Sequence, residues 1–214
     1  MEKFDHSTLQ ATPENEDFAG KYENNGFIAK RLVHNYFRSV EILVNRIPEN
    51  NKSLIAHEIG CGEGFSTKKL NQFKFKKLSA SEYVQKLVPK SIKNNPTLNI
   101  FQESVYQLKY DSSKVDLVFL LEVLEHLDYP KQALKEISRI SSNYLILGVP
   151  REPLWRILNM CRLKYLNKFG NTPGHLNHWS RKGIIEFVEK YFGEVIAVQS
   201  PLPWTILLAK KRNE

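Results

Sequence analysis

Short apolar runs alternate with longer amphipathic stretches along most of this chain. The run 115–121, Val-Asp-Leu-Val-Phe-Leu-Leu, is almost entirely apolar, which is typical of a strand covered on both faces of a sheet. Between such runs, apolar residues recur at the spacing of one helix face. The predicted strands are 53–59, 76–81, 98–103, 115–121 and 144–149, and the predicted helices are 27–47, 65–73, 83–94, 130–140 and 181–191. This alternation predicts a parallel sheet joined by right-handed helical crossovers.

The end of the chain departs from this alternation. The apolar runs 194–198 and 204–210 are separated only by 199–203, which is too short for a helical crossover, so these two strands should pair antiparallel. The sequence therefore predicts an α/β fold with a doubly wound, mostly parallel seven-stranded sheet (Rossmann-like), an antiparallel last strand, an N-terminal helix and a helical lid. Residues 1–20 are polar and lack periodicity, which indicates a flexible N-terminal arm ahead of a single domain at 21–214.

A glycine-rich turn, Glu-Ile-Gly-Cys-Gly-Glu-Gly at 58–64, joins the first predicted strand to the next helix. Glycines at 60, 62 and 64 permit a tight turn and the close approach of a ligand. The turn also directs the free amide groups of a new helix at that ligand. The spacing differs from the G-x-G-x-x-G of dinucleotide sites, and no phosphate-loop lysine follows. A nucleotide-like ligand is therefore expected over the carboxyl ends of the strands.

Several blocks of the sequence together resemble one family. The turn at 58–64 and the segment Glu-Val-Leu-Glu-His-Leu at 122–127 resemble class I S-adenosylmethionine (SAM)-dependent methyltransferases, in particular the type 11 family. Further blocks that agree in order are 114–118, 133–140 and 147–150. The resemblance covers roughly residues 53–150. It implies an enzyme that transfers a methyl group from SAM, and an antiparallel end to the sheet agrees with it.

The resemblance also implies where SAM binds. Gly60, Gly62 and Gly64 would lie under its methionine part, and Glu58 would order the turn and face the amino group. Glu82 would accept the ribose hydroxyls, although a solvated helix start capped by Ser81 is an alternative. Ser104 stands where the family usually has the Asp that accepts from adenine, and its hydroxyl is a weaker acceptor. Glu103, one residue earlier, should face the other side of the strand. The other cofactor-binding candidates are Cys61, Tyr83, Val105, Leu121 and Glu122.

Three histidines are the candidates for catalysis. His126 lies four residues after Glu122, so both would share one side of a helical turn at the end of the fourth strand. A packed, hydrogen-bonded imidazole is the alternative. His175 and His178 would line the acceptor pocket, or else be hydrogen-bonded within a rigid loop. No metal site is predicted, because no Cys, Asp or Glu with ligand spacing accompanies that pair.

The segment 151–179 is longer than a crossover needs and is predicted to be a substrate lid. Its first part is an amphipathic helix with basic residues at 151, 156, 162, 164 and 168. That helix is expected to contact the substrate. The alternatives are that its basic face is simply solvated or that the helix lies on a membrane surface.

Composition narrows the class of partner. The net charge of +8 and the pI near 9.3 favour an anionic partner, although a generally basic surface is the plain alternative. Two cysteines, the absence of a signal-peptide pattern and the lack of a long apolar run favour a cytoplasmic protein without a membrane span. The favoured function is methylation of a small-molecule or lipid-linked, anionic acceptor. An RNA methyltransferase is the weaker alternative, because no separate RNA-binding module is visible, and a non-catalytic SAM-binding protein is a third.

Overall fold

A single seven-stranded sheet forms the centre of the molecule. The computed structural model describes residues 4–10 and 26–212. The strands are β1 (Ile55–Ile59), β2 (Lys77–Glu82), β3 (Asn99–Gln102), β4 (Val115–Leu121), β5 (Ser141–Pro150), β6 (Gly193–Gln199) and β7 (Trp204–Lys211). Their order is β3-β2-β1-β4-β5-β7-β6, with β1 to β5 parallel and β7 antiparallel to both of its neighbours. The predicted fold class is confirmed.

The helices agree with the predicted ones in position, and those predicted at 130–140 and 181–191 agree in length as well. They are α1 (Phe27–Val44), α2 (Phe65–Leu70), α3 (Val88–Asn94), α4 (Pro130–Ile140), α5 (Leu154–Cys161) and α6 (Arg181–Tyr191). α3 begins later than predicted, because Val84 is extended and a 3-10 turn at Gln85–Leu87 comes first. α5 ends before the predicted amphipathic pattern does, because Leu163 and Tyr165 adopt left-handed backbone conformations.

The alternating side chains of β4 explain how the sheet is held between two helical layers. Val118 and Leu120 are buried on one face with Ile137 of α4 and Val188 of α6. Leu117 and Phe119 face the other layer, where α1 contributes Val40 and Leu43. Each such side chain contributes about 1.5–3 kcal/mol by leaving water. The carboxyl edge of the sheet is therefore a firm platform for the site.

A short N-terminal segment packs at this edge. His6–Thr8 form a 3-10 turn, and the Phe4 ring stacks on Tyr106 with 4.4 Å between centroids. The Gln10 amide donates to Asp128 Oδ1 over 3.1 Å. Residues 4–10 thus contact the domain, while residues 1–3 and 11–20 of the predicted arm lie outside the described residues.

Within the described part of the chain, no helix has both the length and the apolar character needed to cross a membrane.

Candidate active site

The glycine turn after β1 uses its three glycines in different ways. Gly60, Gly62 and Gly64 have φ values of 75°, 54° and 85°, a region that L side chains rarely adopt. A Cβ atom on Gly60 would lie 2.4 Å from Val123 Cγ2, and one on Gly64 would lie 2.4 Å from Asn95 Nδ2. A Cβ atom on Gly62 would have no other atom within 4 Å. The outer glycines therefore allow close packing, whereas the middle one is open and lines a cleft.

Glu82, at the end of β2, holds the turn from the side of the cleft. Its Oε2 accepts from the Gly62 amide over 2.7 Å, and its Oε1 accepts from the Val84 amide over 2.8 Å. Burial raises the pKa of this carboxyl, and the backbone hydrogen bonds oppose that rise. Each carboxylate oxygen can accept a further hydrogen bond, so the clamp leaves Glu82 able to bind a ligand.

Glu58 supports the turn without lining the cleft. It is buried, and Thr67 Oγ1 of α2 donates to its Oε2 over 2.5 Å. Burial raises the pKa of Glu58 to about 7, with the hydroxyls of Ser66 and Thr67 acting in the opposite direction. Neither Glu58 nor Gly64 belongs to the cleft wall, whereas the buried Cys61 does.

Ser104 and Val105 line the cleft beyond β3, as predicted. The Ser104 hydroxyl accepts from the Tyr106 amide over 3.3 Å, so it closes its own turn. Glu103 also reaches the wall, contrary to the expected alternation, because β3 ends at Gln102 and the strand period no longer applies. Its carboxylate accepts from the Lys109 amide over 2.6 Å and lies 3.5 Å from His57 Nε2.

The end of β4 supplies the next part of the wall. Leu121, Glu122 and His126 all line the cleft. Glu122 has a φ of 60°, a strained conformation of the kind that concentrates at functional sites. The predicted helical turn is only a 3-10 turn, Leu124–His126, and Glu122 lies outside it. His126 Nδ1 lies 3.1 Å from the carbonyl oxygen of Gly174.

The segment 151–179 brings one of its two histidines to this region. His175 is buried, and its ring lies 4.9 Å from that of His126 at an interplanar angle of 88°. His178 is exposed, and its Nε2 pairs with Asn171 Oδ1 over 2.8 Å. The structure therefore brings His175 next to His126 but places neither His175 nor His178 in the cleft wall. His175 is buried behind His126, and the side chain of His178 turns back to its own loop.

Several aromatic residues of the cleft wall were not expected from the sequence. Tyr36 and Phe37 of α1 and Tyr106 after β3 join the predicted Tyr83, whose ring is parallel to His6 at 6.2 Å. Aromatic residues on an amphipathic helix have the same pattern as core residues, so α1 carried no signal of this role. The cavity in this cleft measures about 180 Å³.

Comparison with known proteins agrees with this arrangement. Residues 57–143, from β1 into β5, match the type 11 family model described as a methyltransferase domain. The matched residues carry the glycine turn and the end of β4. The protein is a SAM-dependent methyltransferase, and SAM is its cofactor. A comparison of the methyltransferase with curated proteins found no significant match.

Solved structures share its fold at low sequence identity. Magnesium protoporphyrin IX methyltransferase from Synechocystis PCC 6803, with bound S-adenosylhomocysteine (SAH), has a TM-score of 0.67 and 16% identity, covering 89% of this chain and 90% of that one. A SAM-dependent methyltransferase from Aquifex aeolicus has a TM-score of 0.63 and 14% identity, with 82% and 88% covered. The [4+2]-cyclase SpnF has a TM-score of 0.64 and 12% identity, with 83% and 82% covered. These likenesses establish the fold of the methyltransferase, and its substrate has to be inferred from the site.

Proposed function

We propose that this methyltransferase binds SAM between the glycine turn and Glu82 and methylates a lipid-linked acceptor beside His126. The observation that carries the proposal is one cleft whose wall contains the turn and Glu82 as well as His126 and the aromatic residues of α1. Such a wall offers separate groups to a cofactor and to an acceptor.

The glycine turn, Glu82 and their neighbours fit SAM. The open side of Gly62 allows a ligand to lie on the backbone of the turn. Glu82 can accept hydrogen bonds from both ribose hydroxyls, because a carboxylate offers two charged oxygen atoms to the two donors. Ser104, Val105 and Tyr83 line the same cleft and would contact the adenine. Glu58 and Gly64 would act indirectly, by fixing the shape of the turn.

The part of the wall around His126 fits the acceptor. When bound, SAM supplies a methyl group whose sulfonium leaving group is already activated by its charge. The protein then has mainly to hold the reacting groups in line. Since a carbonyl oxygen only accepts, the contact with Gly174 assigns a proton to Nδ1 of His126, and the neutral imidazole then has its lone pair on Nε2. An acceptor that must lose a proton would transfer it to the neutral form of this ring.

The lid favours a lipid-linked acceptor over a fully soluble one. All residues from 161 to 169, here called the lid tip, are exposed. Leu163 is 79% and Phe169 is 73% exposed, and basic side chains at 162, 164 and 168 surround them. Exposed apolar side chains among cations are typical of a segment that inserts into an anionic lipid surface. Arg156 Nε donates to the Phe169 carbonyl over 3.0 Å, so the lid tip is tied back to α5.

Cofactor binding is tested by titration with SAH in a calorimeter. Glu82→Gln should weaken SAH binding at least tenfold, about 1.4 kcal/mol, because one oxygen acceptor is lost. The matched control is Glu186→Gln, since Glu186 on α6 pairs with Lys182 Nζ at 3.6 Å and lies outside the cleft wall. Equal affinities for the wild type and Glu82→Gln would contradict the cofactor assignment.

The acceptor class is tested by sedimentation with vesicles. The wild type should bind anionic phosphatidylglycerol vesicles and not neutral phosphatidylcholine vesicles. Leu166→Ser combined with Phe169→Ser should reduce binding at least tenfold, because each apolar side chain withdrawn from water is worth about 1.5–3 kcal/mol. Leu202→Ser is the control, because Leu202 is 55% exposed against 53% for Leu166. Salt-sensitive binding to bulk tRNA without vesicle binding would instead favour the RNA alternative.

A further inference from the structure

We infer that Glu125, His126 and His175 form a binding site for a divalent cation beside the cleft. One ligand atom from each of these side chains lies within 4.8 Å of the other two. His126 lines the cleft, so a bound ion would face the space assigned to the acceptor.

The protein backbone holds this cluster together independently of its side chains. The carbonyl oxygen of Glu125 accepts from the amides of Leu176 and Asn177 over 2.8 and 2.9 Å. Asn177 Nδ2 donates to the Leu127 carbonyl over 2.7 Å. Two segments far apart in the sequence are thus fixed side by side, and Glu125 and His175 are only 1% and 6% exposed. A prearranged cluster of this kind loses little entropy when it binds an ion.

The orientation of His126 is that of a metal ligand. Because Nδ1 donates to the Gly174 carbonyl over 3.1 Å, the lone pair lies on Nε2, which is 4.0 Å from Glu125 Oε1. Metal-binding histidines commonly donate their other ring N–H to a backbone carbonyl in this way, which fixes both tautomer and ring orientation. The perpendicular ring of His175 closes the cluster from the lid side.

The donor set indicates which ions fit. Two imidazole nitrogens and one carboxylate oxygen suit Zn²⁺, Co²⁺, Mn²⁺ or Fe²⁺ better than Ca²⁺. Bonds of about 2.1 Å place ligand atoms roughly 3–3.4 Å apart, so side-chain movements of about 1 Å would complete the site. Three protein ligands leave coordination positions open, as in sites where a metal binds a reactant, and His126 is the ligand that also lines the cleft.

This inference rests on the proposed methyl transfer and narrows its acceptor to a hydroxyl compound. An ion on His126 Nε2 would replace that nitrogen as the group facing the acceptor, and would lower the pKa of a bound hydroxyl. The hydroxyl proton passes to solvent, the oxygen forms the new bond to the methyl carbon, and the electron pair of the broken C–S bond stays on sulfur.

Titration of the chelator-treated protein with Co²⁺, followed by its visible absorption, tests the site directly. The wild type should bind one Co²⁺ with an absorption band typical of mixed nitrogen and oxygen ligands. His175→Ala and His126→Asn should each weaken binding at least tenfold. His178→Ala is the matched control from the same loop and should stay within twofold of the wild type.

Binding of SAH, measured on the same samples, separates the two proposals. Variants that bind SAH normally and lose Co²⁺ support the site. Absence of a Co²⁺ band in wild-type protein that binds SAH would overturn the metal site and leave the proposed function intact. Equal Co²⁺ affinity in all variants would show an adventitious ion and would also overturn it. Loss of SAH binding in the wild type would refute the proposed function instead.

Discussion

The buried carboxyl of Glu58 should make the methyltransferase less stable as the pH rises from 5 to 7. Burial raises its pKa from 4.5 to about 7. Between these values the folded protein holds a proton that the unfolded chain has released, so stability falls with increasing pH. The difference between 4.5 and about 7, at about 1.4 kcal/mol per unit, amounts to about 3 kcal/mol. Above pH 7 both states are ionised, and the whole cost is present.

The perturbation that isolates this effect is Glu58→Gln. A glutamine keeps an oxygen acceptor for Thr67, which donates to Glu58 Oε2, and it carries no charge at any pH. Burial also raises the pKa of Glu82, and the charge of Glu82 is one cause of the raised pKa of Glu58. The difference between wild type and variant therefore reports on Glu58 together with its interaction with Glu82.

Urea unfolding at pH 5, 6, 7 and 8, followed by circular dichroism, measures the difference. The two free energies of unfolding should be similar at pH 5, and the variant should be more stable by about 3 kcal/mol at pH 8. Parallel curves across this range would refute the reasoning, because they would mean that the carboxyl has the same pKa in both states. A variant less stable at pH 8 would show that the ionised form is stabilised by the fold.

Three further predictions concern packing around the site. Gly60→Ala should destabilise the protein by about 2–3 kcal/mol, because a Cβ would lie 2.4 Å from Val123 Cγ2, and adding Val123→Ala should restore part of the loss in urea unfolding. Phe4→Ala should weaken SAH binding by about threefold to tenfold in calorimetry, because it removes the stack on Tyr106; an unchanged affinity would show that the segment does not cover the site. Leu120→Ala should cost about 2–5 kcal/mol of unfolding free energy without changing the SAH affinity of the folded protein.

The strands could be predicted because each one is a short apolar run with its own boundaries. β4 is buried on both faces, so the run 115–121 has no polar alternation that could be confused with a surface strand. The antiparallel end of the sheet also followed from a local feature, the short connection 199–203. The end of α5 was harder to predict, because the apolar pattern continues past Cys161 while the helical backbone ends there. Left-handed residues at 163 and 165 end it, and neither is a glycine that would have marked the break.

The site residues fall into two groups, those positioned by local contacts and those positioned by contacts between distant parts of the chain. The glycine turn and Glu82 follow from their positions at strand ends, and Glu82 meets Gly62 because β1 and β2 are neighbours. The cluster of Glu125, His126 and His175 depends on the path of the lid. In the sequence His178 is nearer to His175 than Glu125 and His126 are. A search for metal-ligand spacing therefore considers His175 with His178 and misses the proposed cluster. Hydrogen bonds between distant segments, such as those from the amides of residues 176 and 177 to the Glu125 carbonyl, bring these three residues together, and no periodicity encodes such contacts.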